Sequence, residues 1–354
     1  MRLISQAYAM LFRNYTPFPP LQFESRDEKR NDFGVIVLRG TFQIENGRRL
    51  RLVQKQEPLV MADEYYGEPG MSSLKYESSI APYKPKTDIL INANAYSPTS
   101  KPEKQWIAGV QFGSIRKEIQ ITGPRQWERG FTGWSLTPIE PVESVPVRYE
   151  YAYGGSYRDG DEPKLCDENY VGTGFADPRS KEPVRCPQIL PVDFGTPQYG
   201  TPIPVEGLGA IAPAWRPRRD KAGTFNVIWE KTRWPDLPED FSFEFYNTAS
   251  AGLTLPGFSD GTETVQLTNL TPNRSVSFQL PCFELATLLR FHDGRLVPAP
   301  INLDTIQIDA ELNRVYLTWR GVHPLTPPIR VLEVRMKVPD DVIDRSATPI
   351  SQPV

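Results

Sequence analysis

The chain has 354 residues, 39% of them hydrophobic and 23% charged, which is typical of a folded globular protein and excludes a disordered chain. Its formal net charge of −3 gives no long-range attraction to nucleic acid or to anionic membranes, so we expect neither as a partner. Two histidines and three cysteines argue against a disulfide framework, favour a reducing compartment and predict no metal ion or other cofactor.

The amino-terminal residues give no sign of a membrane segment. Their apolar run is broken by Ser5 and Gln6 and ends at Arg13, so it is too short to cross a bilayer. No small-residue cleavage site follows it, which argues against a signal peptide. We therefore expect a cytoplasmic protein.

Alternating apolar and polar residues predict β-strands through the first part of the chain. In residues 33–44, Ile36, Leu38 and Phe42 share one face, and polar side chains occupy the other. Asn46-Gly47 predicts a hairpin back into residues 49–52, because both residue types tolerate positive φ. Further strands are predicted at 88–96, 106–112, 115–121 and 147–153.

The middle of the chain, residues 154–238, is rich in glycine, proline and tryptophan. Of the 36 prolines in the chain, sixteen lie between Pro124 and Pro238. Proline fixes φ and removes a hydrogen-bond donor, which excludes regular helix and central strand here. Because Trp215, Trp229 and Trp234 need burial, we interpret the segment as ordered, irregular and packed across the strands.

The remaining chain returns to alternation. Strands are predicted at 241–245, 276–280, 283–291, 315–319 and 332–338, with Asp293-Gly294 as a further hairpin turn. Residues 283–291 also fit a short helix, but the flanking proline and turn favour a strand. The fold class is therefore mostly β, an antiparallel β-sandwich-like architecture with a long irregular insertion and few short helices.

Three segments follow from these patterns. Residues 1–155 form an amino-terminal β-rich half, residues 156–240 form the Pro/Gly/Trp-rich irregular segment, and residues 241–354 form a carboxyl-terminal β-rich half. The two halves either fold separately or make a single domain.

Motifs for nucleophilic catalysis and phosphate binding do not appear in the sequence. Neither a Gly-x-Ser-x-Gly elbow nor a phosphate-binding glycine loop occurs, and Gly172-Thr173-Gly174 is interpreted as a tight turn. His292 and His323 are expected at ordinary surface positions. We predict no catalytic residue, and therefore a protein that is not an enzyme.

Carboxylates leave one catalytic alternative open. Glu150 lies on a predicted strand between tyrosines, and Asp236, Glu239 and Asp240 lie beside Trp234. A glycosidase needs two carboxylates on facing elements and aromatic platforms for sugar rings. The simpler interpretation of residues 236–240 is a solvated turn around two prolines.

A compact basic and aromatic stretch, Trp215-Arg216-Pro217-Arg218-Arg219, has three interpretations. It forms a structural cation–π cluster, a surface that binds another protein, or a nucleic-acid contact. The acidic overall charge weakens the last of these.

Several motifs, taken in order, resemble the domain of unknown function 2169 family of Gram-negative bacteria. The first half contributes Lys86-Thr87-Asp88-Ile89-Leu90, Ala93-Asn94-Ala95-Tyr96, Ile121-Thr122-Gly123-Pro124-Arg125-Gln126-Trp127 and Val147-Arg148-Tyr149-Glu150-Tyr151-Ala152-Tyr153-Gly154-Gly155. The second half contributes Asn169-Tyr170-Val171-Gly172-Thr173-Gly174-Phe175, Trp215-Arg216-Pro217-Arg218 with Arg219, Gly223-Thr224-Phe225, Trp229, Phe245-Tyr246-Asn247 and Leu317-Thr318-Trp319-Arg320-Gly321. The resemblance extends from about residue 15 to 340. Tyr170 stands where the family usually has proline, and residues 250–252 replace a stretch that is polar in the family. Both differences concern local loops or partner contacts and not the family itself.

The resemblance implies a function that composition does not show. Members of this family are adaptors or chaperones that bind a type VI secretion effector and help load it onto spike proteins of the VgrG and PAAR types, without catalysis. The motif residues that it marks for partner binding are Trp127, Glu150, Tyr153, Gly154, Gly155, Gly172, Gly174, Phe175, Trp215, Arg216, Arg218, Arg219, Trp229, Trp319 and Arg320. The alternatives are a carbohydrate-active or carbohydrate-binding β-sandwich protein, or the toxin itself.

Overall fold

Strands predominate and helices are few and short in residues 10–337, the part of the chain that the computed structural model describes. This confirms the mostly β prediction. The strands before residue 150 are β1 (Leu11–Tyr15), β2 (Pro20–Arg26), β3 (Asp32–Gln43), β4 (Arg48–Arg49), β5 (Arg51–Leu52), β6 (Glu64–Tyr65), β7 (Leu74–Tyr76), β8 (Asp88–Asn92), β9 (Asn94–Tyr96), β10 (Gln105–Phe112), β11 (Ile115–Thr122), β12 (Gln126–Gly130), β13 (Gly133–Leu136) and β14 (Ser144–Pro146).

The middle of the chain contains only short elements. They are the 3-10 helix Tyr149–Tyr151, β15 (Tyr153–Gly154), β16 (Ser156–Asp159), β17 (Glu162–Leu165), β18 (Thr173–Gly174), β19 (Val184–Arg185), β20 (Ile189–Leu190), the 3-10 helix Arg219–Lys221, the α-helix α1 (Val227–Thr232) and the 3-10 helix Phe243–Tyr246. The strands that follow are β21 (Thr264–Thr268), β22 (Ser275–Gln279), β23 (Glu284–Phe291), β24 (Leu296–Ala299), β25 (Ile301–Asp309), β26 (Arg314–Pro324) and β27 (Ile329–Lys337). Residues 283–291 are thus a strand, as predicted, and Val338 lies outside the described residues.

Three sheets carry most of the structure. The first has the order β2-β3-β26-β25-β8, with β5 also paired to β3, and the second has the order β20-β11-β10-β21-β22-β4. The third has the order β1-β27-β23-β24. Most pairs in these three sheets are antiparallel, but β1–β27, β8–β25 and β4–β22 are parallel, and each of these joins an early strand to a late one.

Side chains from all three sheets meet in one hydrophobic core. Ile36 and Phe42 of β3, Val110 of β10, Phe278 of β22 and Leu332 of β27 belong to the same buried cluster. Apolar residues two apart project from the same face of a strand, so each alternating strand supplies one row of this core.

The polar face of β3 is also covered by protein. Arg39 and Thr41 are buried there, the Arg39 guanidinium donates to the Pro58 carbonyl at 2.9 Å, and the Gln56 amide oxygen accepts from the Thr41 N–H at 2.7 Å. Hydrogen bonds to the following loop therefore replace the water that an alternating strand would otherwise meet on this face.

The Asn46-Gly47 turn differs from a simple hairpin. Gly47 has φ of +73°, as such a turn requires, and Leu52 pairs with Phe42 of β3. However, Arg49 in β4 pairs with Gln279 of the second sheet. The returning segment is divided between two sheets, because the Gly47 and Leu50 N–H groups bond to strand β22 and not to β3.

Two predicted strands are wrong. Residues 147–153 turn through the 3-10 helix Tyr149–Tyr151, and residues 241–245 enter the 3-10 helix Phe243–Tyr246. In the second case alternation misleads because Phe241 packs its ring 5.5 Å from Phe243 and 5.9 Å from Phe245, within one aromatic cluster. The aromatic alternation comes from that cluster and not from a strand face.

No helix among residues 10–337 is long and apolar enough to cross a membrane.

Candidate functional site

A cavity of about 670 Å³ lies where the motif segments 121–127 and 147–155 meet. Its lining residues come from five stretches of chain: Tyr66, Gly67 and Ser72; Pro124, Arg125, Gln126, Glu128, Thr137 and Glu140; Arg148, Glu150 and Tyr151; Thr173; and Arg185, Cys186 and Gln188. Parts of three motifs, at 124–126, 148–151 and 173, thus line one space together with residues that belong to no motif.

Backbone hydrogen bonds fix the walls of the cavity. The Gln188 N–H donates to the Tyr151 carbonyl at 2.8 Å, and the Cys186 N–H donates to the Arg125 carbonyl at 2.9 Å. The segment after β19 is therefore tied to both the 3-10 helix and the start of β12, and these ties preorganise the cavity.

Glu150 lines the cavity from this 3-10 helix. Its carboxylate accepts hydrogen bonds from the Ser73 N–H at 2.8 Å and from the Ser73 hydroxyl. Asp236, Glu239 and Asp240 are not among the lining residues, so the carboxylates of the glycosidase alternative do not share this cavity.

Three arginines line the same cavity, one from each of three segments. The Arg148 guanidinium lies 3.8 Å from the centroid of the Tyr66 ring, a cation–π contact. Arg125, Arg148 and Arg185 form no ion pair within residues 10–337, and the buried Nε–H groups of Arg125 and Arg148 have no acceptor there. Guanidinium groups without acceptors are suited to an anionic ligand.

The Cys186 thiol also borders the cavity. Burial raises its pKa to about 12, against the opposing effect of nearby Arg125. A thiol with so high a pKa is neutral near pH 7, and a neutral thiol is a poor nucleophile.

The paired glycines of the motif are required by close packing. Gly154 has φ of +152°, and a Cβ there would lie 2.2 Å from the Asn169 carbonyl oxygen. A Cβ on Gly172 would lie 2.7 Å from the Ala152 carbonyl oxygen. The Asn169 side-chain amide donates to the Tyr149 and Tyr153 carbonyls at 2.8 and 3.0 Å, so 149–154 and 169–174 form one tightly packed turn pair.

The other motif residues near these glycines pack against one another inside the protein. Trp127 and Tyr153 are buried in a second hydrophobic cluster, against which Phe175 packs, and a Cβ on Gly174 would lie 3.6 Å from the Trp127 ring. Gly155 lies against the Gly172 carbonyl. These residues do not line the cavity.

The stretch 215–219 does not form a single surface. Trp215 is buried in the main core, with its ring 5.3 Å from Tyr149, and Arg218 donates to the Phe245 and Ile211 carbonyls at 2.8 and 2.9 Å. Arg216 and Arg219 form exposed ion pairs at 3.2 Å with Asp220 and 3.1 Å with Asp167 respectively. The observed contacts are those of a structural cluster, since burial makes Trp215 inaccessible to a partner.

Trp319 and Arg320 of β26 are also buried. The Trp319 ring stacks on Phe18 with centroids 5.1 Å apart. Arg320 donates to Asp304 at 2.7 Å and to the Ser79 carbonyl at 3.0 Å. Both residues hold sheets and loops together inside the protein.

The exposed part of the middle segment is a short apolar protrusion around α1. We call Phe225, Val227, Ile228 and Trp234 the apolar knob; they are 57%, 60%, 71% and 67% exposed. Trp229, between them, is half-buried, contacts the Phe225 ring at 4.8 Å and donates to the Asp236 carbonyl at 2.9 Å. The prediction that the tryptophans of this segment are buried is therefore wrong for Trp234.

Charged contacts brace the knob against the β2–β3 turn. Asp236 accepts from Arg26 at 3.0 Å and from Arg30 at 2.9 Å. The Arg30 guanidinium also donates to the Thr232 carbonyl at 2.9 Å, and Arg233 donates to the Glu28 carbonyl. The Asn226 side chain caps α1 by accepting from the Trp229 N–H at 2.9 Å. The exposed apolar side chains thus project from a fixed platform.

His323 is a correction to the predicted surface position. It is buried opposite Gly34 in the β3–β26 pair, and a Cβ on Gly34 would lie 2.0 Å from the His323 Cε1 atom. Burial lowers the pKa of its imidazole. His292 is exposed, as predicted.

Residues 10–337 contain neither a metal-binding cluster nor a disulfide. No group of three or more histidine, cysteine, aspartate or glutamate side chains is placed to hold a metal ion there. Cys166, Cys186 and Cys282 are free.

Sequence reasoning missed the three cavity arginines and the exposure of the knob. Arg125 and Arg148 lie within recognised motifs, but only the tertiary contacts show that Arg185 joins them. For the knob, Asn226 followed by Val227, Ile228 and Trp229 is a helix-start pattern that the sequence contains.

A comparison with family models gives one match. The model described as an uncharacterized protein conserved in bacteria (DUF2169) matches residues 29–320, which include the cavity and the knob. Searches of curated proteins and of solved structures find no match.

Proposed function

We propose that this chain, which belongs to the DUF2169 family, is a cytoplasmic adaptor that binds a type VI secretion effector and helps load it onto VgrG- and PAAR-type spike proteins. The observation that supports a binding role is the apolar knob. The assignment of its partner rests on the implied family role.

The knob has the properties of an interface anchor. Large apolar side chains that are exposed together are unfavourable in water and often mark sites where another protein binds. Tryptophan at the centre of an interface frequently contributes a large share of the binding free energy, and Trp234 is two-thirds exposed.

The ion pairs and the helix cap that hold the knob reduce the conformational entropy that it would lose on binding a partner. Arg26 and Arg30 both hold Asp236, and Asn226 caps the helix before any partner arrives. A preorganised surface avoids part of the ordering cost that a flexible loop incurs on binding. Binding is then stoichiometric, and the adaptor presents the bound effector to the spike.

Substitution of the knob tests this proposal. We expect the double substitution Ile228→Ala and Trp234→Ala to weaken effector binding by about tenfold or more, because truncation of an anchor costs roughly 1–2 kcal/mol or more. The measurement is isothermal titration calorimetry with the toxin encoded next to this chain, after co-purification of the two proteins.

The matched control is Leu312→Ala, which truncates an apolar residue that is 54% exposed outside the knob. It should leave binding unchanged, and melting curves should show that both variants fold. Equal binding by the wild type and the knob variant would contradict a role for the knob, and no binding by the wild-type chain would contradict the adaptor role.

A further inference from the structure

We propose that the cavity binds carboxylate side chains of an acidic peptide segment, held by Arg125, Arg148 and Arg185. This inference rests on the proposed adaptor role, since it names the chemistry of a second contact with the effector. The cavity and the knob share no residue, so the two contacts can be tested separately.

The three guanidiniums supply donors that the protein does not use. Some exposed arginines pair with carboxylates, as Arg179 does with Asp177 at 3.1 Å. Within residues 10–337 the three cavity arginines form no ion pair, and two buried Nε–H groups lack an acceptor. A ligand oxygen can accept hydrogen bonds from these donors.

Carboxylates of the protein itself line the cavity but do not neutralise these arginines. Glu150 accepts from Ser73, and Glu128 accepts from the Gln126 side chain at 2.8 Å. Glu140 also lines the space, and it forms no ion pair with the three arginines. The arginines therefore remain available although the total charge around the cavity is balanced.

Geometry favours a carboxylate on a peptide over a small inorganic anion. Arginine donates two parallel hydrogen bonds to a planar carboxylate, and three arginines from three segments offer several such pairs. A volume of about 670 Å³ is within the range of pockets that enclose drug-sized ligands, far more than one oxyanion fills. An extended acidic segment can place more than one carboxylate among the three arginines.

The backbone around the cavity holds the arginines in fixed relation. Gln126 of β12 pairs with Arg185 of β19, and Arg125 directly precedes β12, so the backbones of Arg125 and Arg185 lie close together. Arg148 is held by its contact with the Tyr66 ring at 3.8 Å. This arrangement fixes the backbone positions from which the three guanidiniums reach the cavity.

A direct binding measurement tests the proposal with the full chain. The probe is a fluorescein-labelled hexaglutamate peptide, with a labelled hexaglutamine peptide as the uncharged comparison and inorganic phosphate as a competitor. We expect hexaglutamate alone to raise fluorescence anisotropy, with an affinity that falls as salt rises.

Single substitutions connect that binding to the cavity. Arg125→Gln and Arg185→Gln should each weaken hexaglutamate binding by about tenfold, because each removes charge-assisted hydrogen bonds. Arg330→Gln removes the same charge from an exposed position outside the cavity and should have no effect. Melting temperatures of the three variants should match the wild type within error.

The outcomes separate this inference from the adaptor proposal. If hexaglutamate fails to bind, binds no better than hexaglutamine, or is unaffected by both cavity substitutions, the inference is wrong while knob-dependent effector binding still supports the adaptor role. If phosphate displaces the peptide at equal or lower concentration, the cavity is a small-anion site and the peptide assignment is overturned. Effector binding that is weakened by both Arg125→Gln and Arg185→Gln supports both proposals.

Discussion

At the scale of single residues, the most demanding feature is a buried lysine. Lys84 is fully buried and forms ion pairs with Glu77 and with Asp88, the latter at 3.0 Å. Asp88 also accepts from the Thr248 N–H at 2.8 Å, and the Glu77 carboxylate accepts from the Thr248 hydroxyl at 2.7 Å. The cluster holds the loop before β8 and the segment after the last 3-10 helix against the same two carboxylates.

The charges in this cluster shift the pKa values of the lysine and of its carboxylate partner in opposite directions. Burial opposes the charge of Lys84, but Glu77, Asp88 and Asp304 outweigh burial and raise the pKa of its ammonium. Burial also opposes the charge of Glu77, but Lys84 outweighs it and lowers the pKa of that carboxyl. Each ion is stable inside only because the others are present.

Removal of the buried charge should therefore destabilise the fold. We expect Lys84→Met to lower the free energy of unfolding by about 3–5 kcal/mol, since Glu77 and Asp88 remain buried without the ammonium that pairs with both of them. Urea unfolding followed by circular dichroism measures the change.

Lys86→Met is the control for this substitution. Lys86 lies two residues away and pairs with Glu244 at 3.2 Å, but both side chains are well exposed. An exposed pair contributes only about 0–1 kcal/mol, so a similar loss in both variants would contradict the role given to the buried cluster.

At the scale of elements, the short helix α1 depends on contacts outside itself. Six residues form few internal hydrogen bonds, and an isolated helix of this length is not stable in water. Arg26 and Arg30 from the β2–β3 turn hold Asp236, which lies just beyond the helix. The knob is thus an ordered surface because a neighbouring hairpin fixes it.

Loss of the brace should loosen the knob without unfolding the protein. We expect Asp236→Asn to increase amide hydrogen exchange in residues 224–236 by roughly fivefold, as expected for a local loss of about 1 kcal/mol. Hydrogen–deuterium exchange with mass spectrometry resolves the segment.

The control for the brace is Asp161→Asn, which removes the same charge from an exposed turn that the two arginines do not contact. It should leave exchange in residues 224–236 unchanged. If exchange in that segment were as slow in Asp236→Asn as in wild type, the knob would be held by its own packing and not by the arginines.

At the scale of the whole molecule, early and late strands are interleaved. Strand β3 lies between β2 and β26, β8 pairs only with β25 in its sheet, and β10 lies between β11 and β21. One hydrophobic cluster contains residues from β3, β8, β10, β11, β21, β25 and β26. Strands far apart in sequence therefore bury the same core.

Because early and late strands are interleaved, the amino-terminal half should not fold by itself. We expect residues 1–155 expressed alone to show no cooperative thermal transition, because β3, β8 and β10 would each lose a long partner strand. Circular dichroism melting of the segment, alone and co-expressed with residues 156–354, measures this. A sharp transition in the isolated segment would show that the half folds by itself.

The sequence by itself determined the strand-rich character of the chain. Period-two alternation located β3, β10, β11, β22, β26 and β27, because each has one face in the core and the pleat sets the period. The resemblance also identified the family, and the family match confirms it. Local pattern was sufficient wherever apolar residues alternate along a strand.

Only the tertiary structure decided how these elements combine and what remains exposed. Residues 147–153 alternate like a strand but form a 3-10 turn, since their burial comes from Trp215 and the segment after β19. The knob is exposed because, within residues 10–337, no strand packs over it. The three arginines line one cavity because β12, β19 and the 3-10 turn lie side by side. Burial and proximity are properties of the packed chain, so no local pattern contains them.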